Sequence, residues 1–466
     1  MEYYNEKLEK FNKYVSGKKI AIIGLGVSNV PLLEYFYNLN ARISAFDNRK
    51  KEELPEDILE KIEKYNVKYY GGENNLKDLI GFDIIFRSPI VMPYKPELRK
   101  EAERGAIITS EIEMVVKLTP SKVIGITGTE GKTTTSSIIY EIIKKAGYKC
   151  FLGGNIGKPI FTSIKDMKPE DIVILEMSSF QLTNMEVSPE ISVVTNIFPD
   201  HLNVHSSYEE YREEKKNIFK HQSENGITVL NYDNEFTCGF GKEVVGKKIF
   251  FSSKEKLEDG FIYDDTEGMI KYCEDGVRRH ILKKQDIKLR GIHNYENICA
   301  ALAATSSLVD IDTQIEAIKE FKGVAHRLEF VKEINGVKWY NDSIGTSPAS
   351  TMAGLNAFDE NIVLLAGGSD KGLDYKEVGE TIAKKVKALV LTGPTAMKIE
   401  EATRNADVDN KVEICFVENL KEAVKLANKK AKNGDIVLLS PASASFDAFK
   451  NFEERGNKFK EYVNEI

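Results

Sequence analysis

Three α/β domains in series are the architecture this sequence predicts: a Rossmann-like first domain, a P-loop ATPase-like central domain with added β-hairpins, and a Rossmann-like third domain. Three observations predict it. An apolar strand, Lys19 to Ile23, runs into Gly24-Leu25-Gly26 and then into a helical pattern through Leu32, Leu33 and Phe36. A second apolar strand, Lys122 to Ile126, meets the glycine-rich loop around Gly128 and Gly131 and is followed by another helical pattern. The alternation of strand and helix gives way between about 226 and 290 and resumes after about 324. The expected domains are therefore 1–109, 110–323 and 324–466.

Length and composition agree with this. At roughly 150 residues per domain, 466 residues suggest two to four domains. Sixty-five Lys and Arg against seventy-two Asp and Glu leave a net charge of −7, which disfavours a nucleic-acid partner. A hydrophobic fraction of 42% with 29% charged residues is that of an ordinary globular chain. The uncharged apolar runs are far shorter than the ~20 residues of a membrane helix, so no membrane insertion is expected. Five cysteines without paired spacing suggest neither a disulfide framework nor a zinc site, and a reducing cytoplasm is the location expected.

Taken in order, the second strand of the first domain, Arg42 to Phe46, ends in Asp47, and the alternation continues to about 108. The central domain begins near Glu111. The helix after its glycine loop places Ile138, Ile139, Ile142, Ile143 and Ala146 on one face, and Gly147 stops it. Strands Ile172 to Leu175 and Ile191 to Thr195 extend a mostly parallel sheet. Short alternating runs between 226 and 290, broken by Glu267-Gly268 and Asp275-Gly276, predict β-hairpins laid onto this body. The third domain takes its strands from Val337 to Tyr340, Ile362 to Ala366, Ala388 to Leu391, Val412 to Phe416 and Ile436 to Leu439. A helix near 420–431 buries Leu420, Ala423, Val424 and Ala427.

The strongest chemical signal is Gly128-Thr129-Glu130-Gly131-Lys132-Thr133-Thr134, placed between a strand and a helix. Backbone N–H groups and the helix N-terminus there can cradle polyphosphate, Lys132 can neutralise its oxygens, and the Thr133 hydroxyl can meet Mg²⁺. The strict spacing asks for glycine at 126, where Ile126 stands. Glu176 ends an apolar strand, where a carboxylate can face a metal or simply cap a solvated turn. Asp200-His201 follows another strand, and a lone histidine there is either a ligand or structural. Lys215, within Glu213-Glu214-Lys215-Lys216, reads from its neighbours alone as part of a solvated helix face. The Gly24-Leu25-Gly26 turn followed by Asp47 is a partial dinucleotide fingerprint, but Asn29 replaces the third glycine, which argues against a nicotinamide dehydrogenase. A GTP-dependent switch would want an NKxD string, and none occurs.

The segments GITGTEGKTTT, LEMSSFQL, NIFPDHLNVHSSYEEYREEKKNIF, GIHNYENICAA, GVAHRLEFV, YNDSIGTSPAS and LLSPASASFDAFKNFEERGNKF stand in one order along the chain. Together they resemble the Mur ligase family from about residue 20 to 462. The resemblance implies a first domain that binds a UDP-linked substrate, a central ATPase-like domain, and a third domain that brings in an amino acid. It implies ATP-dependent amide-bond formation through an acyl phosphate in peptidoglycan precursor synthesis, with ATP and two Mg²⁺ ions, acting as a monomer. The substrates implied are UDP-N-acetylmuramoyl-L-alanine and D-glutamate; a sister ligase or a folylpolyglutamate-type ligase using another amino acid is the alternative. By resemblance, Gly128 to Thr134 hold the phosphates, Thr133, Glu176, His201 and Lys215 sit at the metals, and Lys215 aligns with a carbamylated lysine. Lys132, Glu176, His201 and Lys215 are the implied catalytic set. Asn294 and Asn297 are implied to contact adenine, and Arg327 and Asp342 the nucleotide's other wall. Val27, Ser28, Asp47, Asn48, Arg49, Ser88 and Asn155 are implied to bind the sugar nucleotide, and Thr346, Lys371, Ser445 and Phe452 the D-glutamate. Three positions depart from the family pattern: Glu130 replaces an asparagine, Asn203 stands where aspartate is frequent, and Ile344 takes the place of a lysine.

Overall fold

Apolar runs bounded by glycine turns become parallel strands in each part of this chain. The computed structural model describes residues 3–198, 207–409 and 411–466. The first sheet contains β1 (Lys19–Ile23), β2 (Arg42–Asp47), β3 (Lys68–Gly71), β4 (Ile84–Arg87) and β5 (Ile107–Thr109), in the order β3-β2-β1-β4-β5 and parallel throughout. The chain winds one way from β1 and then the other, so the turn after β1 lies at the crevice where such sheets take ligands.

The second sheet holds β6 (Lys122–Thr127), β7 (Cys150–Gly154), β8 (Ile172–Glu176), β9 (Ile191–Val194), β10 (Ile227–Asn231), β11 (Lys247–Ser252), β12 (Gly260–Asp264), β13 (Met269–Glu274) and β14 (Val277–Lys283). Its order is β14-β13-β12-β11-β10-β9-β6-β8-β7. The hairpins expected across 226–290 are confined to the second half of that stretch. Strands β10, β11 and β12 pair in parallel, and the helix Glu235–Phe240 lies between the first two in the chain. The antiparallel strands β13 and β14 follow, joined by Asp275-Gly276, whose φ values of 50° and 75° suit a two-residue hairpin turn. They continue the edge of the sheet instead of lying on its face. In β11 Lys247 and Lys248 are exposed while Ile249, Phe251 and Ser252 are buried, a pattern that does not by itself give strand direction.

The third sheet contains β15 (Glu329–Ile334), β16 (Val337–Asn341), β17 (Ile362–Gly367), β18 (Val386–Thr392), β19 (Glu413–Phe416) and β20 (Ile436–Leu439), in the order β15-β16-β20-β17-β18-β19. Only the β15–β16 pair is antiparallel. The chain divides into two compact units, Met1–Ile287 with His293–Lys319, and Lys288–Ile292 with Glu320–Ile466. The first two sheets thus share one unit. Phe161 explains part of this: it is buried and its ring lies 6.4 Å from Phe36 and 6.2 Å from Phe86, joining the first sheet's core to the second's. No helix among the described residues is long and apolar enough to cross a membrane.

Candidate active site

The loop after β6 is built on two glycines that no other residue could replace without strain. Gly128 has φ 148°, and a Cβ there would collide with Thr195 Oγ1; Gly131 has φ 80°, and a Cβ would collide with Asn297 Oδ1. The backbone therefore needs glycine at 128 and 131. Position 126 lies inside the strand, where Ile126 is fully buried and paired with Glu176 and Val193, so the missing glycine costs the loop nothing. Gly131 caps the helix Lys132–Lys145, whose first-turn N–H groups point toward the loop.

Glu130 is exposed, and its backbone is pinned from below: its N–H donates to Asn196 Oδ1 at 2.8 Å, and its carbonyl accepts from the Thr195 hydroxyl and from Asn196 Nδ2. The Glu130 side chain is thus on the solvent side of the loop. Lys132 Nζ donates to the carbonyls of Gly128 (3.0 Å) and Thr129 (2.8 Å), which holds its charge over the loop mouth.

Thr133 and Glu176 meet directly. The threonine hydroxyl donates to Glu176 Oε2 at 2.8 Å, while Asn155 Nδ2 donates to Glu176 Oε1 at 3.1 Å. Glu176 is 1% exposed, so its place at the end of β8 is not a solvated turn. The strands explain the meeting: β6 and β8 are neighbours in register, and Ile126 pairs with Glu176 just before the loop begins.

Lys215 is the largest correction to a reading of local sequence. On the helix Tyr208–Lys216 it is 1% exposed, and its ammonium donates to the Gly128 carbonyl at 2.9 Å with Thr127 Oγ1 at 3.4 Å. Its Nζ also lies 4.7 Å from the centre of the Tyr211 ring, and the Tyr211 hydroxyl is 3.0 Å from Thr129 Oγ1. Tyr211 and Lys215 are one turn apart and both face inward, whereas Lys216 faces out to Glu213 and Glu243. The helical spacing of an aromatic residue with Lys215 was a signal available in the sequence. His201 lies outside the described residues.

Asn294 and Asn297, on the helix Ile292–Thr305, are both buried. Asn297 Oδ1 accepts from Thr135 Oγ1 at 3.3 Å and sits against Gly131, so this side chain braces the glycine loop from behind. Asn294 Oδ1 accepts from Asn297 Nδ2 at 3.4 Å.

In the first sheet, Asp47 closes the turn after β1. Its carboxylate accepts from the Leu25 N–H at 2.8 Å, from the Arg49 N–H at 3.1 Å and from the Arg49 guanidinium at 2.8 and 2.9 Å. Burial works to raise its pKa, but the Arg49 hydrogen bond and the backbone donors outweigh it and bring the value to about 2. Arg49 also donates to the Leu25 carbonyl at 3.0 Å, and Asn48 Oδ1 accepts from Asn75. Asn29, in place of the third glycine, donates to the carbonyls of Ile23 and Gly24 at the end of β1. Val27 is exposed on this turn, Ser28 is half-buried beside it, and the Ser88 N–H donates to the Ile23 carbonyl at 2.8 Å.

The second unit holds the remaining candidates. Asp342, at the end of β16, is 5% exposed, accepts from Ser440 Oγ at 2.7 Å and from the Leu328 N–H at 3.2 Å, and is pushed by burial up to about 6. Arg327 is exposed, and its charge acts on Asp342. Lys371 is also exposed, with Nζ 5.6 Å from the centre of the Phe446 ring, next to the buried Ser445. Thr346 lies on the loop after β16, and the Phe452 carbonyl accepts from Ser343 Oγ at 2.8 Å. Sequence reading missed what joins these loops. Arg455, 4% exposed, donates to Ser343 Oγ and to the carbonyls of Ser343, Ser443 and Ala444, which binds the loops after β16 and β20 to the helix Phe452–Asn464. A buried arginine on an otherwise charged terminal helix carries no local pattern that would expose it.

A glycine loop with an adjoining carboxylate, in a chain that also carries a second nucleotide-type turn and a third, mostly parallel sheet, is the arrangement of a class of three-part ligases. The chain matches the Mur ligase MurD-like N-terminal domain over residues 18–110, the Mur ligase middle domain over 126–305 and the Mur ligase glutamate ligase domain over 326–443. It belongs to the Mur ligase family and is an ATP-dependent, ADP-forming ligase. It is 47% identical over 466 residues to the UDP-N-acetylmuramoylalanine--D-glutamate ligase of Acetivibrio thermocellus, covering 99% of each chain. It is 45% identical over 459 residues to the enzyme of the same name from Clostridium acetobutylicum, covering 98% of each. Among solved structures, UDP-N-acetylmuramate-alanine ligase of Thermotoga maritima shares its fold at a TM-score of 0.59 and 19% identity, over 96% of this chain and 99% of that one. MurF of Acinetobacter baumannii does so at a TM-score of 0.59 and 14% identity, over 98% and 99%.

Proposed function

We propose that this protein joins D-glutamate to UDP-N-acetylmuramoyl-L-alanine at the expense of ATP, in peptidoglycan precursor synthesis in the cytoplasm. The observation that carries the reaction class is the convergence of Lys132, Thr133, Glu176 and Lys215 on one glycine loop. The choice of substrates is supported by full-length relatives at 45–47% identity that bear the ligase's name.

In this reading residues 1–109 bind the sugar nucleotide, 110–323 bind ATP and 324–466 bind the amino acid. The terminal carboxylate of the sugar peptide attacks the γ-phosphorus of ATP, and the bond to the β–γ bridging oxygen breaks, giving an acyl phosphate and ADP. The amine of D-glutamate then adds to the acyl carbon; the tetrahedral intermediate expels phosphate, and the nitrogen loses a proton. Lys132 and the loop N–H groups neutralise and orient the transferring phosphoryl group.

The oxygen donors of Thr133 and Glu176, side by side at 2.8 Å, suit a hard divalent cation such as Mg²⁺. With His201 and a carbamylated Lys215 they would hold two ions, which supply charge neutralisation to the phosphates. Asn294 and Asn297 are assigned to the adenine side, Arg327 and Asp342 to the nucleotide's other wall, and Asn155 to the muramoyl group. Val27, Ser28, Asp47, Asn48, Arg49 and Ser88 are assigned to the uridine diphosphate. Phosphate release from ATP, measured with the sugar nucleotide and a panel of D- and L-amino acids, tests the whole reading. Release dependent on D-glutamate supports it, and equal release with L-glutamate or D-alanine overturns the amino-acid assignment.

Two further results are expected. Arg49→Ala raises the KM for the sugar nucleotide about tenfold, ~1.4 kcal/mol, and leaves that for ATP within about twofold; equal rises in steady-state assays would deny a separate site in the first domain. Lys371→Ala raises the KM for D-glutamate at least about tenfold. With Ile344 in place of the family's second cation, Lys371 carries more of the carboxylate binding, so an unchanged KM would remove it from the pocket.

A further inference from the structure

Arg87 ends β4 one residue before Ser88, and it is 4% exposed. Its guanidinium donates to four carbonyl oxygens. Two belong to its own loop, Pro89 and Val91, each at 3.3 Å. The other two belong to the segment after β8: Phe180 at 3.3 Å and Thr183 at 2.6 Å. Its charge is met at longer range by Glu113 and Glu214, and burial lowers its pKa. Burying a guanidinium against carbonyls is costly unless its planar fork is well satisfied, and a lysine cannot present the same set of donors.

The two segments Arg87 joins lead to different parts of the site. On one side, Ser88 packs against the turn after β1, where a Cβ on Gly24 would come within 2.8 Å of Ser88 Cβ. On the other, Phe180 lies within the short helix Ser179–Leu182 and Thr183 caps its C-terminus, while its N-cap Ser178 lies two residues after Glu176, the partner of Thr133. We propose that Arg87 is a positioning residue that fixes the sugar-nucleotide turn relative to the Glu176 segment, so that the acceptor carboxylate is held in register with the phosphate loop. This rests on the function proposed above.

The test compares wild-type enzyme with Arg87→Met and Arg87→Lys. The first readout is steady-state kinetics. The second is amide hydrogen exchange of residues 177–183, which needs no substrate. Wild-type turnover judges the proposed function by itself. For Arg87→Met we expect kcat to fall at least tenfold and the KM for the sugar nucleotide to rise at least fivefold, with the KM for ATP within twofold. Exchange at 177–183 should quicken at least tenfold, with Arg87→Lys intermediate on both scales. Millimolar guanidinium chloride should restore part of the Arg87→Met rate where sodium chloride does not. A lower melting temperature with both KM values and the 177–183 exchange unchanged would make Arg87 a stability residue only and overturn the proposal. Should Arg87→Met fail to fold, Arg87→Lys decides: wild-type KM and exchange in that variant count against the proposal, and intermediate values support it.

Discussion

Lys132→Ala is expected to lower kcat by about 10²- to 10³-fold, ~3 to 4 kcal/mol of transition-state stabilisation, the scale of losing one strong preorganised donor. The side chain is anchored by its own loop, donating to Gly128 and Thr129, so its charge is already in place before phosphate arrives. A donor held in this way needs little reorganisation when charge shifts from the γ-phosphate to the leaving group. Removing it should leave melting behaviour close to wild type, because Lys132 is half-exposed and the loop's shape depends on Gly128, Gly131, Thr195 and Asn196. Single-turnover phosphate release is the measurement. Near-normal ligation by the variant would mean that the loop is a structural turn.

The second large effect is at Lys215. Replacement by alanine is expected to lower activity at least about 100-fold, ~2.7 kcal/mol, with the fold retained as judged by circular dichroism. As a free ammonium, Lys215 would support the Gly128 carbonyl and the Thr127 hydroxyl over the Tyr211 ring, and an arginine or a primary amine additive would substitute for it. As a carbamate, formed by attack of the neutral amine on CO₂ with loss of one proton, it would present an anion beneath the phosphate loop. Acetate or formate should then partly restore Lys215→Ala, and bicarbonate should raise the activity of wild-type enzyme prepared free of CO₂. Full activity of Lys215→Ala, indifferent to bicarbonate, would sink the carbamate and the second cation with it.

Lys215 also shows where local sequence stops being informative. Its neighbours are charged, and all four residues of Glu213 to Lys216 are of types that favour a wet surface. Burial came from the other side of the helix, where Tyr211 and Lys215 turn toward the loop after β6. Between 226 and 290 the short alternating runs predict hairpins, whereas the first strands run parallel. Alternation reports which face is buried and is silent on strand direction, which depends on the connecting helix Glu235–Phe240. The glycines at 128 and 131 were legible because positive φ and close approach leave few alternatives.

From the sequence by itself came the three α/β parts, the glycine loop and the family, because each depends on a local rule: apolar runs, glycine at a constrained backbone, and an ordered set of motifs. The fold alone supplied the inward turn of Lys215, the Thr133–Glu176 contact, the brace of Asn297 behind Gly131, and the carbonyl clusters around Arg87 and Arg455. These join residues far apart in the chain, many of them through backbone carbonyls that every residue type possesses. Such contacts leave no signature in the order of side chains, because they exist only after the strands have set their register and the helices have packed against them.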